Sequence, residues 1–268
     1  MSERIHTMGL VVRSRRDKDV VLTVLTPSLG KITVIAKGAR SMKGPQMALS
    51  QTFCYSDLEL YRKGDLYWLH TGELRENFYA VSTRLDALNL AAYFCEVACA
   101  VSQPGEPAEQ LLRLLLNSLY FLANRTYDDA LIKGVFEWRV LALQGVSPAL
   151  DRCAGCGREQ HEDFALDITN GQLMCQSCRA KRQTDAPGWD DAPLSSWALI
   201  RPDALQAARF ALEQPIERMM AFHLEGEADR WDFSHVGERF LTYHLDVDST
   251  ALRMYEQMRG AAPFTDKP

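Results

Sequence analysis

Two short cysteine pairs carry the most specific chemistry in the chain. Cys153-Ala-Gly-Cys156 is followed, after eighteen intervening residues, by Cys175-Gln-Ser-Cys178. A C-x-x-C turn lets two sulfurs converge on one ion, and two such turns complete a tetrahedral shell of four thiolates, the donor set that zinc favours. Disulfides or a thioredoxin-like redox pair fit less well, because neither C-x-x-C is expected to open a helix within a βαβ pattern. His161 lies between the pairs, but four cysteines already fill the shell. Such a shell has no open position, so the pattern predicts one structural Zn²⁺ held by Cys153, Cys156, Cys175 and Cys178, and no Lewis-acid chemistry at it.

The second set of interest is basic. Arg13, Arg15, Arg16, Lys18, Lys31, Lys37, Arg40 and Lys43 crowd the first 45 residues, where nine Lys/Arg face three Asp/Glu. Residues 1–80 carry twelve cations against eight anions, a balance of +4; the remaining eighteen against twenty-seven give −9, and together they make the net −5. A basic end on an acidic body points to a polyanionic partner for that end. Tyr55, Tyr61, Tyr67 and Trp68 lie nearby in sequence. Cations that follow phosphates, together with aromatics that stack bases, are what single-strand binding on a small barrel requires. Little sequence preference and strong salt dependence are expected.

Catalysis draws little support. The chain has no G-x-G-x-x-G, Walker A, H-E-x-x-H or G-x-S-x-G motif, and its six histidines are scattered. Cys95 and Cys99, four apart on an expected helix, read as small core residues. We therefore expect a non-enzyme.

The elements that must position these residues change character along the chain. Residues 1–80 read as five strands: 8–14, 19–26, 31–36, 51–61 and 66–71, with Pro27-Ser-Leu-Gly30 and Gly64-Asp65 as turns. Five short strands suggest a closed barrel. Lys37 to Pro45 reads as a flexible basic loop. From about residue 82 the period becomes helical. Helices are expected to residue 103, over 108–124 and over 128–144, with Asp128 as N-cap and Gly145 at the C-terminal end. The 108–124 segment is apolar on most of its circumference and is expected to be the central helix. Inside the cysteine module, Asn170-Gly171 between two apolar stretches signals a hairpin. The expected boundaries are 1–80 (barrel), 81–150 (helical), 151–182 (zinc-ribbon-like insert) and 183–260 (helical, after a linker over 182–193). The fold class is α+β multidomain.

With 268 residues and ordinary apolar and charged fractions, the chain is of globular type. No apolar run approaches membrane-spanning length, and the N-terminus lacks the apolar core of a signal peptide. No membrane association is expected, and the protein is read as cytoplasmic.

The order of these parts resembles a known family. Val34-Ile-Ala-Lys-Gly-Ala-Arg-Ser ends the third strand, and a helical body follows. Then come Gly145-Val-Ser-Pro-Ala-Leu-Asp-Arg-Cys-Ala-Gly-Cys-Gly and Gly171-Gln-Leu-Met-Cys-Gln-Ser-Cys. Over roughly residues 5–250 this resembles the bacterial DNA repair protein RecO family of recombination mediators. The resemblance implies an N-terminal OB barrel and an α-helical domain with a zinc-finger insert. It implies a non-catalytic protein that binds single- and double-stranded DNA and anneals complementary strands. It also implies work with the RecR ring, contact with the C-terminal tail of single-stranded DNA-binding protein, help in loading the RecA recombinase, and association with the nucleoid during repair. Family DNA binding by basic barrel residues maps onto Lys37, Arg40 and Lys43, with Arg13, Arg15, Arg16 and Lys31 on neighbouring strands. Two readings from other classes stay open: a zinc-ribbon protein-interaction scaffold without direct DNA binding, and a zinc-dependent enzyme of nucleic-acid metabolism.

Overall fold

The computed structural model describes residues 3–16, 19–38, 45–160, 162, 164–185 and 196–259. Arg40 and Lys43, and with them most of the basic loop, lie outside the described residues, as do Lys18, His161, most of the 182–193 linker and the tail after 259. The chain divides into two compact units: one comprises the residues up to 126 with those from 249 on, the other spans 127–248. The sequence boundaries at 80, 150 and 182 follow changes of period; the compact units follow contacts.

The first unit is built on five strands: β1 (Glu3–Arg16), β2 (Val20–Thr26), β3 (Gly30–Ala36), β4 (Tyr55–Lys63) and β5 (Leu66–Glu76). They close into a barrel in the order β1-β2-β3-β5-β4, with β3 and β5 parallel and the other neighbours antiparallel. Alternation explains the interior. Val20, Leu22 and Val24, then Ile32, Val34 and Ala36, then Leu58, Leu60, Tyr67 and Leu69 turn inward at every second position and form one buried cluster. A short helix, α1 (Pro45–Leu49), adds Leu49 to that cluster. The sequence pattern missed it because the segment is too short to show a period.

β4 begins at Tyr55, not at residue 51 as the β-rich composition predicted. Phe53 sits in the left-handed region, with φ 70°. Backbone hydrogen bonds from Phe53 N to the Val11 carbonyl (2.8 Å) and from Val11 N to the Cys54 carbonyl (2.9 Å) hold the turn against a β1 bulge. Phe53 is therefore part of the core.

A 3₁₀ turn (Tyr79–Thr83) leads to α2 (Leu85–Val101) and α3 (Glu109–Asn124), and α8 (Thr250–Met258) packs on α2. Ser249 caps α8 and also donates to Glu96 on α2. The α2–α3 connection is laced to the β2–β3 turn. Ala108 N donates to Pro27 O (2.8 Å) and Gly105 N to Leu29 O (2.9 Å). Gly30, at φ 64°, lets the backbones meet: a Cβ there would stand 2.2 Å from the Gln103 carbonyl oxygen.

The second unit centres on α4 (Asp129–Leu143), packed against α6 (Pro202–Glu213) and α7 (Glu227–Leu245). Asp128 caps α4 by accepting from Ala130 N and Leu131 N, and Gly145 follows in the left-handed region. Every residue from Ile132 to Leu141 is buried, charged ones included. So α4, and not α3, is buried all round. Hydropathy hid this, because Lys133, Glu137 and Arg139 break the apolar run. Their charges are met inside: Lys133 Nζ lies 2.8 Å from Glu137 and 2.6 Å from Glu238 on α7. Small residues bring the two helices close. A Cβ on Gly134 would stand 2.6 Å from Phe233, and one on Gly237 2.9 Å from Trp138 Nε1. That indole nitrogen donates to the Phe233 carbonyl (2.9 Å).

The cysteine module is knuckle, hairpin, knuckle. β6 (Phe164–Asp167) pairs with β7 (Gln172–Cys175). Its turn is longer than the two residues that Asn-Gly suggests: Asp167 pairs with Gln172, and the Asp167 carboxylate accepts from Thr169 N, Asn170 N and Asn170 Nδ2. A third strand, β8 (Trp197–Ile200), joins β6 from beyond the expected insert. α5 (Gln176–Asp185) starts inside the second C-x-x-C, but the strand before it belongs to an antiparallel hairpin, so the helix is not part of a βαβ unit, as expected.

Candidate nucleic-acid interface and candidate metal centre

The outer face of the barrel is the half of each strand that the core leaves over. Strand register links Arg15 to Val21, Val21 to Ile35, Ile35 to Trp68, Trp68 to Tyr61 and Tyr61 to Arg4. The Arg13–Thr23–Thr33 row runs beside it. Part of this outer face is covered within the same unit. Leu10 and Leu25, paired across β1 and β2, point out of the barrel yet are fully buried, and α2 packs on β1 there. Lys31 lies at this covered end. Its ammonium donates to the Cys99 carbonyl at 2.6 Å, in the last turn of α2, where a cation also suits the helix dipole.

The predicted DNA-binding residues thus separate. Arg13, Arg15 and Lys37 are exposed on the outer face, Arg13 close enough to α2 for its charge to act on the Cys99 thiol. Lys31 is engaged by α2. Arg16 pairs with core-facing Val20 and lies toward the barrel mouth, where it lines a cavity of about 260 Å³ with Ser14, Met47 and Ser50. The β1 bulge between Val11 and Arg13 resets the alternation, which no one-residue count in the sequence discloses.

The aromatics separate as well. Tyr67 is in the core, while Trp68 and Tyr61 are half-buried on the outer face. Lys37 Nζ sits 4.5 Å from the centroid of the Trp68 ring, a cation–π contact. His70, exposed and two residues beyond Trp68, meets Tyr61 edge-on with centroids 5.0 Å apart. His70 and Ile35 escaped the sequence reading, although the i, i+2 spacing of Trp68 and His70 places them on one strand face. Arg4 is bonded to Glu59, and this hydrogen bond holds the Glu59 carboxyl below its ordinary range.

In the second unit, the Sγ atoms of Cys153, Cys156, Cys175 and Cys178 all lie within 4.8 Å of one another, with Cys156 and Cys175 3.9 Å apart. A tetrahedral zinc with bonds of about 2.3 Å sets its sulfurs roughly 3.8 Å apart, so the four can hold a metal ion. Backbone N–H groups of Gly155 (3.4 Å) and Cys175 (3.3 Å) point at the Cys153 sulfur, as a thiolate requires. Gly155 must lack a side chain, since a Cβ would stand 2.9 Å from that of Cys178. Burial opposes ionisation of Cys175, yet hydrogen bonds from Ser177 and from Cys178 pull its pKa down to about 6. Cys178 moves the other way, to about 12, first through its hydrogen bond with Cys175 and then through burial. A second thiolate beside the first is resisted, and a central cation removes that resistance. The module is tied to its helices. Arg209 on α6 donates to the carbonyls of Leu150 (2.8 Å) and Asp151 (3.0 Å), and His244 on α7 lies 2.8 Å from the Ile168 carbonyl.

Among the described residues no helix is long and apolar enough to cross a membrane. Residues 1–78 match the family model described as Recombination protein O N terminal, and residues 82–245 match Recombination protein O C terminal. The chain is 26% identical over 250 residues to a DNA repair protein RecO of Acetivibrio thermocellus, spanning 92% of this chain and 94% of the relative. It is 28% identical over 258 residues to one of Desulforudis audaxviator, spanning 96% and 98%. With one of Alkaliphilus metalliredigens it shares 32% identity over 176 residues, 65% of this chain and 72% of the relative.

Proposed function

Because this chain belongs to the RecO family of DNA repair proteins, we propose that it is a non-enzymatic, DNA-binding mediator of recombinational repair whose nucleic-acid surface is the outer face of the barrel. The observation that carries this reading is the exposure of Arg13, Arg15 and Lys37 on the outer wall of the barrel, with Lys37 lying over the outward-facing Trp68. Phosphates lie along the cations, and two strands held there at once pair at a lower entropic cost. Arg40 and Lys43, outside the described residues, are assigned to the same DNA contact by the family resemblance alone, while Lys31 is held by the Cys99 carbonyl. The barrel, residues 1–80, is the DNA-binding domain in this reading.

Family membership supports the further roles: annealing of complementary strands, work with RecR, contact with the tail of single-stranded DNA-binding protein, and recombinase loading at gapped DNA. It likewise supports a cytoplasmic, nucleoid-associated location. Cys153, Cys156, Cys175 and Cys178 would hold one Zn²⁺ with a closed shell. That ion supplies folding energy to the module and no reaction step.

The test is a DNA-binding isotherm at two salt concentrations for the wild type and for the triple variant Arg13→Ala, Arg15→Ala, Lys37→Ala. Each lost phosphate contact lowers the salt slope by about 0.7 for a single strand, so a fall of about 2 is expected. An unchanged slope would place the DNA surface elsewhere.

A further inference from the structure

The two ends of the barrel's outer face differ in what an incoming strand meets. Arg13 and Arg15 present charge on β1. Along the barrel wall from Arg15 the same row passes Val21 and Ile35 and reaches Trp68 at the third strand spacing, about 14 Å on, with Tyr61 next beyond it. Trp68 is not needed by the core. Its neighbours Tyr67 and Leu69 fill the barrel interior, and alternation leaves the indole outside. Tyr61 stands directly across the β4–β5 ladder from it, and Ile35 across the parallel β3–β5 pairing. His70 continues the strip beside Tyr61. A half-buried indole with aromatic and aliphatic neighbours on an outward strand face, and Lys37 beside it, has the composition of a base-stacking platform.

We propose that Trp68, flanked by Tyr61 and Ile35, stacks an unpaired base, and that Lys37, which covers the indole in the free protein, moves to a phosphate when a strand binds. This rests on the reading of the outer face as the DNA surface and adds to it a preference for single strands. The magnitudes favour the exchange. An exposed cation–π contact changes an equilibrium roughly 2- to 5-fold, whereas stacking a base on an aromatic side chain changes it roughly 5- to 150-fold. The base therefore displaces the ammonium, and the displaced ammonium meets the backbone that brought the base. A duplex gains little here. Its bases are already stacked on both faces, and drawing one out costs about as much as the platform returns. The cations Arg13 and Arg15 serve paired and unpaired strands alike; the platform separates them.

The experiment compares Trp68→Ala and Trp68→Phe with the wild type, titrating oligothymidine and a duplex of equal length at one salt concentration, with thermal melts to check folding. Trp68→Ala lowers the ratio of single-strand to duplex affinity at least fivefold without changing the salt slope, and Trp68→Phe recovers most of the ratio. A second readout follows Lys37 by NMR. Its ε-methylene protons, shifted upfield by the indole in the free protein, return toward ordinary positions when oligothymidine saturates the protein. An unchanged ratio in folded Trp68→Ala, or an upfield shift that persists at saturation, overturns the proposal. If the triple cation variant still loses its salt slope in that case, only the stacking idea has failed. If the slope survives too, the surface itself was misplaced.

Discussion

The barrel and the α4–α7 helix pair treat charge in opposite ways. On the barrel, Arg13, Arg15 and Lys37 stand in solvent on strands whose inward positions are apolar. Around α4, Lys133, Glu137 and Asp232 are almost fully buried and are matched by partners: Lys133 by Glu137 and Glu238, Asp232 by Arg201. Burial would lower the Lys133 pKa, but Glu137 and Glu238 more than reverse this and hold it above the ordinary lysine value. A charge spent inside a fold sets which residues pair and is not available to a ligand; a charge left outside does little for stability and can bind. The same contrast recurs within one strand. Lys31 lies at the start of β3 and Lys37 just past its end, yet Lys31 closes the end of α2 while Lys37 only rests on Trp68.

The largest effect should break the second unit and spare the first. Chelation, or Cys175→Ser, removes part of a metal-binding energy that reaches about 10–16 kcal/mol in isolated zinc-finger peptides. Thermal melting should show the loss as an early transition, with DNA binding by the barrel retained. Loss of binding with the melt unchanged would make the module a contact surface instead of a brace.

Lys133→Met should cost about 3–5 kcal/mol, because it leaves two carboxylates facing a buried, vacated site. That corresponds to a fall in Tm on the order of 10 °C, with DNA affinity per folded molecule unchanged. A near-neutral result would mean that the cluster relaxes toward water.

His235, on α7, should make the second unit acid-sensitive. Burial lowers its pKa to about 4; Glu238 opposes this, while Arg239 and Lys133 add to it. Its ring stacks on Trp231 at 4.3 Å. The unfolded chain binds a proton near pH 6.5 and the folded one only near 4, so stability falls as pH drops through that window. The loss amounts to about 2 kcal/mol after allowance for its partial exposure. His235→Gln should flatten that part of a stability–pH curve measured by urea denaturation.

The smallest effects sharpen the contrast along β3. Lys31→Met should lose about 1–2 kcal/mol of stability, the worth of a charged hydrogen bond to the Cys99 carbonyl, with the DNA salt slope intact. Lys37→Met should do the reverse, moving stability by less than about 0.5 kcal/mol and the slope by about 0.7. Equal behaviour of the two variants would remove the distinction between covered and open faces.

Much of this was legible in the chain itself. Five short strands with turn signals at Pro27–Gly30 and Gly64-Asp65 pointed to the barrel, Asp128 and Gly145 bounded α4, and the C-x-x-C spacing brought four sulfurs together. These are local rules, set by backbone geometry and nearest neighbours. What lay beyond them came from partners distant in sequence. The parallel β3–β5 seam places Ile35 beside Trp68. The β1 bulge turns Arg16 toward the barrel mouth while Arg13 and Arg15 stay on the outer face. α2 consumes Lys31, β8 completes the hairpin's sheet, and the ion cluster lets a charged helix become a core. A sequence states which side chains are charged or aromatic, and local pattern states which face they take. Whether that face meets water or another element depends on closure between residues tens of positions apart, and only the tertiary structure decides it.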